Sequence, residues 1–231
     1  MLFDVVLVLL SYTYIISIIL FLTQVKRMGR IDGSTSRKVL HIMIGNLVFL
    51  IPFFSSSVST VAVAAPFIVV TLLASPLSPF KVPDRRLEEL VSLTEEGHGL
   101  GLVFYAVSYT VLAVYFTGQP HVIAAGILPM AYGDSLASIV GRRYGGAFLP
   151  RVGEKSLEGS IAMLVGSFVS LTCATTFFRV VSPARLGDPL SASLLVSLLA
   201  SFVESVSPGG YDNILVPLPC ALAFRWLMGG V

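Results

Sequence analysis

Three carboxylate side chains are the groups in this sequence best suited to hold a metal ion. Asp134 interrupts one apolar run, Glu204 ends another, and Asp212 stands just before the last one. Mg²⁺ prefers oxygen ligands and commonly uses one or two carboxylates together with phosphate oxygens. The sequence therefore predicts a magnesium site at Asp134, Glu204 and Asp212, although Asp212 could instead cap the final helix.

A stretch rich in small residues around Asp134 is typical of a region that binds phosphate. It starts at Gly133, passes Gly141 and Lys155, and ends at Ser160. Glycine permits close approach of the backbone to a ligand, and backbone amides beside cations can surround phosphate oxygens. The stretch is not a Walker A loop, because its glycine spacing differs and no strand precedes it. The same small residues could instead let helices pack closely.

A second set of polar residues opens the second apolar run. Arg37 and Lys38 are adjacent, and His41 follows about one helical turn later. The two cations can grip phosphate oxygens, or they can simply lie at the membrane surface and extend toward lipid headgroups. A lone histidine is more often a packing residue than a catalyst, but the neighbouring cations favour a functional role for His41.

Composition indicates the kind of structure that must position these groups. Hydrophobic residues make up 55% of the 231 and charged residues only 12%, with a mean hydropathy of +0.88. Soluble domains carry about 25% charged residues. We therefore expect an all-α integral membrane protein, with residues 1–231 forming a single domain. The net charge of +2 is too small to indicate a nucleic-acid partner.

The apolar runs predict a bundle of about eight transmembrane helices joined by short loops. A span needs about 20 mostly apolar residues, and the N-terminal run is long enough to be a retained helix and not a signal peptide. The third loop is the longest, and Pro83–Gly97 reads as a helix lying at the membrane interface. The predicted spans are Leu2–Thr23, Val39–Phe54, Ser57–Ala74, Leu100–Phe116, Val122–Val140, Ser160–Phe178, Leu190–Val206 and Ile214–Met228.

The positive charges predict the orientation of the bundle. Of the 15 Lys and Arg residues, 12 lie in the first, third and fifth loops. Under the positive-inside rule these loops are cytoplasmic and both termini are outside. The carboxylates and phosphate-binding candidates fall at the same side, so we expect one active site facing the cytoplasm.

Four short motifs in this order resemble those of the CTP-dependent polyprenol, phytol and diacylglycerol kinases, a family that includes dolichol kinase. The resemblance covers positions 37 to 217. The motifs are Arg37-Lys38-x-x-His41, Gly133-Asp134-Ser135-x-Ala137-Ser138-x-x-Gly141, Lys155-Ser156-x-Glu158-Gly159-Ser160, and Glu204 followed by Asp212-Asn213-x-x-x-Pro217.

The resemblance implies transfer of the γ-phosphate of CTP, with Mg²⁺, to the hydroxyl of a membrane isoprenoid alcohol or diacylglycerol. It implies catalytic roles for Asp134, Lys155 and Glu158, and metal binding by Asp134, Glu204 and Asp212. The residues that it implies for nucleotide binding are Arg37, Lys38, His41, Gly133, Ser135, Ser138, Gly141, Ser156, Gly159 and Ser160.

The expected partners are therefore the lipid alcohol, CTP and the bilayer, with no nucleic acid, and a homodimer is left open. Two other functions remain at this point. A cytidylyltransferase would also use CTP and Mg²⁺ but would release pyrophosphate instead of CDP. A transporter would place polar residues along a path at the membrane midplane, often within an inverted repeat, and no such repeat is visible.

Overall fold

The computed structural model describes residues 2–75, 78, 100–147, 155–182 and 188–229, and the regular elements in these ranges are helices. The interfacial helix predicted for Pro83–Gly97 lies outside the described residues. In chain order the elements are α1 (Leu2–Arg27), α2 (Gly33–Gly45), a 3₁₀ helix (Asn46–Phe53), α3 (Ser57–Leu73), α4 (Gly101–Tyr115), α5 (Pro120–Leu128), a π-helical turn (Pro129–Gly133), α6 (Asp134–Tyr144), α7 (Leu157–Val181), α8 (Pro189–Val206), α9 (Asp212–Leu215) and α10 (Pro217–Leu227).

The helices confirm a multi-pass membrane protein. Among the described residues, five helical stretches are long and apolar enough to cross a bilayer, namely α1, α2 with its 3₁₀ extension, α5 through α6, α7 and α8. The helices α3 and α4 are apolar but shorter. In a bilayer, helices satisfy every backbone hydrogen bond within one segment, which is why this composition folds this way.

The eighth predicted span differs from the structure. Instead of one helix over Ile214–Met228, the chain forms α9 and then α10, which begins at Pro217. Proline lacks a backbone N–H and so favours the first turn of a new helix. With 11 residues, α10 is about 16 Å long, too short to cross the core of a bilayer alone.

Polar residues in the loops determine where several helices begin. The first backbone N–H groups of a helix have no partner within it, and Ser or Asp side chains can accept their hydrogen bonds. Asp32 accepts from Thr35 N at 2.7 Å, and Ser156 accepts from Gly159 N at 3.1 Å. Asp188 caps α8 through Leu190 N and Ser191 N.

The stretch from α5 through α6 is the centre of the bundle. In its most apolar 18-residue segment, 78% of the residues are buried, against 17% in the corresponding segment of α1. The outer face of α1 exposes residues such as Leu9 and Phe21. Helices α7 and α10 pack against α5, and α7 also packs against α6 and α8. Asp134 therefore lies within the most enclosed helical stretch of the described chain, at the start of α6.

Candidate active site

Asp134 follows a local break in the central helix. Pro129 cannot donate a backbone hydrogen bond, and the chain widens into a π-helical turn over Pro129–Gly133, closed by Asp134 N donating to Pro129 O. Such π turns inside α-helices are frequent at functional sites. Gly133 lets this turn approach α7, because a Cβ there would lie 2.7 Å from Met163 Sδ.

Asp134 faces a polar cavity of about 470 Å³, within the size range of small-molecule and cofactor sites. The cavity lies where the starts of α2 and α7 meet the end of α8 and the turn before α9. The sequence predicted that these polar groups lie on one side of the bundle, and the structure brings most of them together in this cavity. The predicted site residues that line it are Arg37, Lys38, His41, Asp134, Ser138, Gly141, Lys155, Ser156, Gly159, Ser160, Glu204 and Asp212.

The three predicted metal ligands are neighbours in this cavity. Asp134, Glu204 and Asp212 are buried, and one carboxylate oxygen from each lies within 4.8 Å of the others. Three hard oxygen donors at this spacing suit Mg²⁺ or a similar cation. Asp212 is the first residue of the short helix α9 and not its N-cap; its side chain accepts from Asn213 N and also lies 3.6 Å from Lys155 Nζ.

Two lysines neutralise the carboxylates. Lys38 forms a buried ion pair with Asp134, across 96 positions of sequence. Lys155 pairs with Glu204, and its Nζ lies 3.6 Å from Asp212 Oδ2. Buried charges are tolerated only when they are paired in this way. The same ammonium groups are placed to contact phosphate oxygens in the cavity.

Burial and neighbouring charges shift the pKa values of two groups outside the membrane-spanning helices, Lys155 and Asp212. Burial disfavours the charged form of Lys155, but Glu204 and Asp212 outweigh it and raise the pKa of the Lys155 ammonium. Burial, together with the negative charge of Asp134, raises the pKa of the Asp212 carboxyl, and Lys155 only partly offsets this. Lys155 is therefore a fixed cation, while Asp212 releases its proton less readily than an ordinary carboxyl.

His41 is not a packing residue with its hydrogen bonds satisfied. It is 1% exposed and lines the cavity, yet neither ring nitrogen has a hydrogen-bond partner within the part of the chain that the structure describes. Its ring stacks on Tyr105 with 4.6 Å between centroids. A buried imidazole without partners is costly unless a ligand supplies them.

The small residues of the cavity wall hold α6 close to the start of α7. A Cβ at Gly145 would lie 2.9 Å from Ser156 Oγ, and one at Gly159 would lie 3.1 Å from Ala137 O. Leu157 N donates to Ala147 O at 2.9 Å, which joins the end of α6 to the start of α7. The glycines thus serve both interpretations, since they pack the helices and narrow the wall of the cavity.

Three predicted site residues lie outside the cavity lining. Gly133 contacts α7, and Ser135 donates to Lys38 O at 3.1 Å, which fixes α2 against α6. Glu158 lies beside the backbone of Gly146, where an added Cβ would be 3.6 Å from its Oε1. Its position gives no support to a direct catalytic role, because its neighbour Gly159, rotated about 100° around α7, is the residue that faces the cavity.

The cavity lining also includes residues that are not among the predicted site residues. Arg142 reaches it from the last turn of α6 and pairs with Asp32 at 3.4 Å. Asn213 leaves its Oδ1 buried and unpartnered among the described residues. The only sequence signals were the basic pair at the end of α6 and the polar residues around the turn before α9. The remaining residues of the cavity lining are Ser34, Ala137, Gly145, Gly209 and Gly210.

Comparison with known proteins finds relatives across most of the chain. The chain is 31% identical over 230 residues to a phytol kinase of Synechocystis sp., covering 94% of this chain and 92% of that protein. It is 32% identical over 215 residues to a probable phytol kinase 1 of Glycine max, covering 87% and 70%. It is 29% identical over 221 residues to a farnesol kinase of Arabidopsis thaliana, covering 88% and 68%.

No family model matches the chain, and no solved structure matches it.

Proposed function

Because the chain belongs to the family of the phytol and farnesol kinases, we propose that it transfers the γ-phosphate of CTP to the hydroxyl of a membrane isoprenoid alcohol of the phytol or geranylgeraniol type. The observation that carries the proposal is the meeting of three carboxylates and two lysines in one polar cavity. Phosphoryl transfer asks a protein mainly for alignment of the two substrates and for cancellation of charge.

Asp134, Glu204 and Asp212 are proposed to hold Mg²⁺. Their oxygens lie within 4.8 Å of one another, which is close enough for one cation to contact all three after small side-chain movements. The ion would supply charge neutralisation at the phosphates of the nucleotide. Asp134 is the ligand anchored most firmly, because the π-helical turn and the buried pair with Lys38 determine its position.

Lys38, Lys155 and Arg37 are proposed to bind phosphate oxygens. Lys38 and Lys155 are paired with the carboxylates, and Arg37 lines the same cavity. When a cation binds the carboxylates, the two ammonium groups can turn toward the phosphates without leaving a buried charge unpaired. The Ser156–Ser160 segment adds backbone at the start of α7, where the helix dipole favours anions.

The site is proposed to open to the cytoplasm. Support comes from the basic residues of the first and fifth loops, which flank the cavity at the starts of α2 and α7. CTP would enter from the water, while the alcohol would present its hydroxyl from the bilayer. Cysteine substitution at the exposed Arg142, labelled from one side of oriented vesicles, checks the orientation.

The direct test incubates the purified protein with Mg²⁺, γ-labelled CTP and separate acceptors: phytol, geranylgeraniol, farnesol, a long polyprenol and diacylglycerol. We expect label on an isoprenoid alcohol and release of CDP. Unlabelled ATP in excess should compete poorly if CTP is the donor. Release of pyrophosphate would instead identify a cytidylyltransferase, and label on diacylglycerol alone would refute the proposed acceptor class.

A further inference from the structure

A narrow apolar crevice lies beside the polar cavity, between α1, α2, α3 and α4. It has a volume of about 50 Å³, and almost all of its lining is hydrocarbon. It reaches the outer surface of the bundle near Val70, which is 37% exposed. Its walls include Ile15 and Ile19 from α1, Leu40 and Ile44 from α2, Ala64 from α3 and Tyr105 from α4.

The crevice and the polar cavity share one wall. His41 lines the polar cavity, Tyr105 lines the crevice, and their rings stack at 4.6 Å with 19° between the planes. Tyr105 Oη also donates to His41 O at 3.1 Å. On α2, Lys38 faces the polar cavity while Leu40 faces the crevice. One helix therefore offers charge on one side and hydrocarbon on the other.

Unpartnered polar atoms lie at this wall. Both ring nitrogens of His41 are buried without a hydrogen-bond partner in the described ranges. The Tyr109 hydroxyl, on the crevice side and only 4% exposed, also has none there. Buried polar groups are rarely left unsatisfied, so these atoms indicate that a ligand with a polar group binds against the wall.

The crevice extends from the level of His41 into the depth of the bundle. Leu40 is next to His41, and Leu47, also in the lining, is seven residues further, a rise of about 10 Å. Helices α1 and α3 start together at the opposite end, where Asp4 binds Ser55 N and Ser59 Oγ. Ala64 is therefore deeper than Val70, which lies nearer the level of the polar cavity.

We propose that this crevice binds the hydrocarbon tail of the acceptor alcohol, with the hydroxyl held at His41 beside Asp134 and Lys38. The inference rests on the proposed kinase function and adds to it the location of the tail. A hydrocarbon chain suits the crevice because almost all of its exposed wall is hydrocarbon. A slender chain suits a narrow crevice that opens to lipid, whereas a polar headgroup belongs in the adjoining cavity.

The length of the crevice makes the proposal testable with two matched variants. Ala64→Leu adds bulk at the deep end, while Ala65→Leu makes the same change at the next residue, which is outside the lining. We expect Ala64→Leu to raise the KM for geranylgeraniol about tenfold. The KM values for geraniol and CTP should stay at the wild-type level, and Ala65→Leu should match the wild type with every acceptor.

A second measurement uses the wild-type protein, so it does not depend on folding of a variant. An isoprenoid alcohol with a diazirine at the end of its tail is irradiated with the protein, and the labelled peptides are identified by mass spectrometry. We expect label near Ile15, Leu47 and Ala64, reduced by excess geranylgeraniol. Label confined to other helices, or label that only a bilayer phospholipid displaces, would overturn the tail site.

The two hypotheses fail in different ways. If the wild type phosphorylates no isoprenoid alcohol, the proposed function is wrong and so is the tail site. If the wild type is an active kinase but Ala64→Leu keeps the wild-type chain-length preference, only the tail site is wrong.

Discussion

At the scale of single residues, the site is a balanced set of buried charges. Asp134, Glu204 and Asp212 face Lys38 and Lys155 within one cavity. Each side chain is therefore both a structural partner and a candidate ligand. Substitutions must be read with that double role in mind, because removal of one charge leaves its partner buried and unpaired.

Asp134→Asn should remove the best-positioned of the three proposed metal ligands. We expect the rate of phosphate transfer to fall at least about 100-fold, while the amide keeps the size of the side chain and the protein still enters the membrane. Asp188→Asn is the matched control, since Asp188 caps α8 away from the cavity and asparagine also caps well. Wild-type turnover by Asp134→Asn would remove Asp134 from the mechanism.

Lys155→Met should lower stability in a way that Mg²⁺ reverses. The change removes the ion-pair partner of Glu204 and the ammonium 3.6 Å from Asp212, a loss of about 3 kcal/mol for a buried pair. A cation bound between the carboxylates would replace the missing charge. Thermal unfolding in detergent should show a lower midpoint that rises with Mg²⁺ more than the wild-type midpoint does; equal responses to Mg²⁺ would contradict a metal site there.

The raised pKa of the Asp212 carboxyl predicts how metal binding depends on pH. Mg²⁺ binds the ionised carboxylate, so binding must displace the proton, and raising the pKa moves that requirement to higher pH. We expect the affinity for Mg²⁺ to increase with pH above the ordinary carboxyl range. Calorimetry in two buffers of different ionisation enthalpy should detect proton release, which Asp212→Asn should reduce.

At the scale of elements, the π-helical turn and the start of α7 position the proposed catalytic groups. The turn over Pro129–Gly133 directs Asp134 into the cavity, and its close contact with α7 depends on the absence of a side chain at Gly133. Glu204 at the end of α8 and Asp212 at the start of α9 come from the other side. In the part of the chain that the structure describes, the site is thus formed mainly by helix ends.

Gly133→Ala tests this contact. The added Cβ would clash with Met163 and Ser167, so α6 must move away from α7, at a cost of about 1–3 kcal/mol. We expect lower thermal stability together with reduced transfer. Gly146→Ala is the control, because its Cβ would meet only Glu158 Oε1 at an ordinary 3.6 Å. If the two variants behave alike, the packing at the π turn does not position the site.

At the scale of the whole molecule, the sequence predicted the helical membrane fold and the shared face of the polar residues. The fold prediction follows from the long apolar runs, and the shared face follows from the side on which the basic residues lie. Neither prediction needs tertiary information. The pairing of Lys38 with Asp134 could not be foreseen, because it depends on how helices distant in sequence rotate against each other. The direction of the Glu158 side chain could not be foreseen either, because one residue along a helix turns a side chain by about 100°.

Pro217 is a helix-breaking residue that the sequence shows, but the apolar residues on both sides of it led to the prediction of one continuous span. Likewise, no pattern indicated the crevice, whose walls come from four helices. The sequence therefore identified the polar groups on one side of the bundle, while the packing of the helices determines which of these groups are in contact.

The most direct test of the central claim is the product formed from γ-labelled CTP and geranylgeraniol by the purified protein with and without Mg²⁺. The account predicts labelled geranylgeranyl phosphate and an equal amount of CDP, only when Mg²⁺ is present. Pyrophosphate in place of CDP would contradict a kinase reaction in this cavity. Transfer that persists after complete removal of divalent cations would contradict a metal ion bound by the carboxylates.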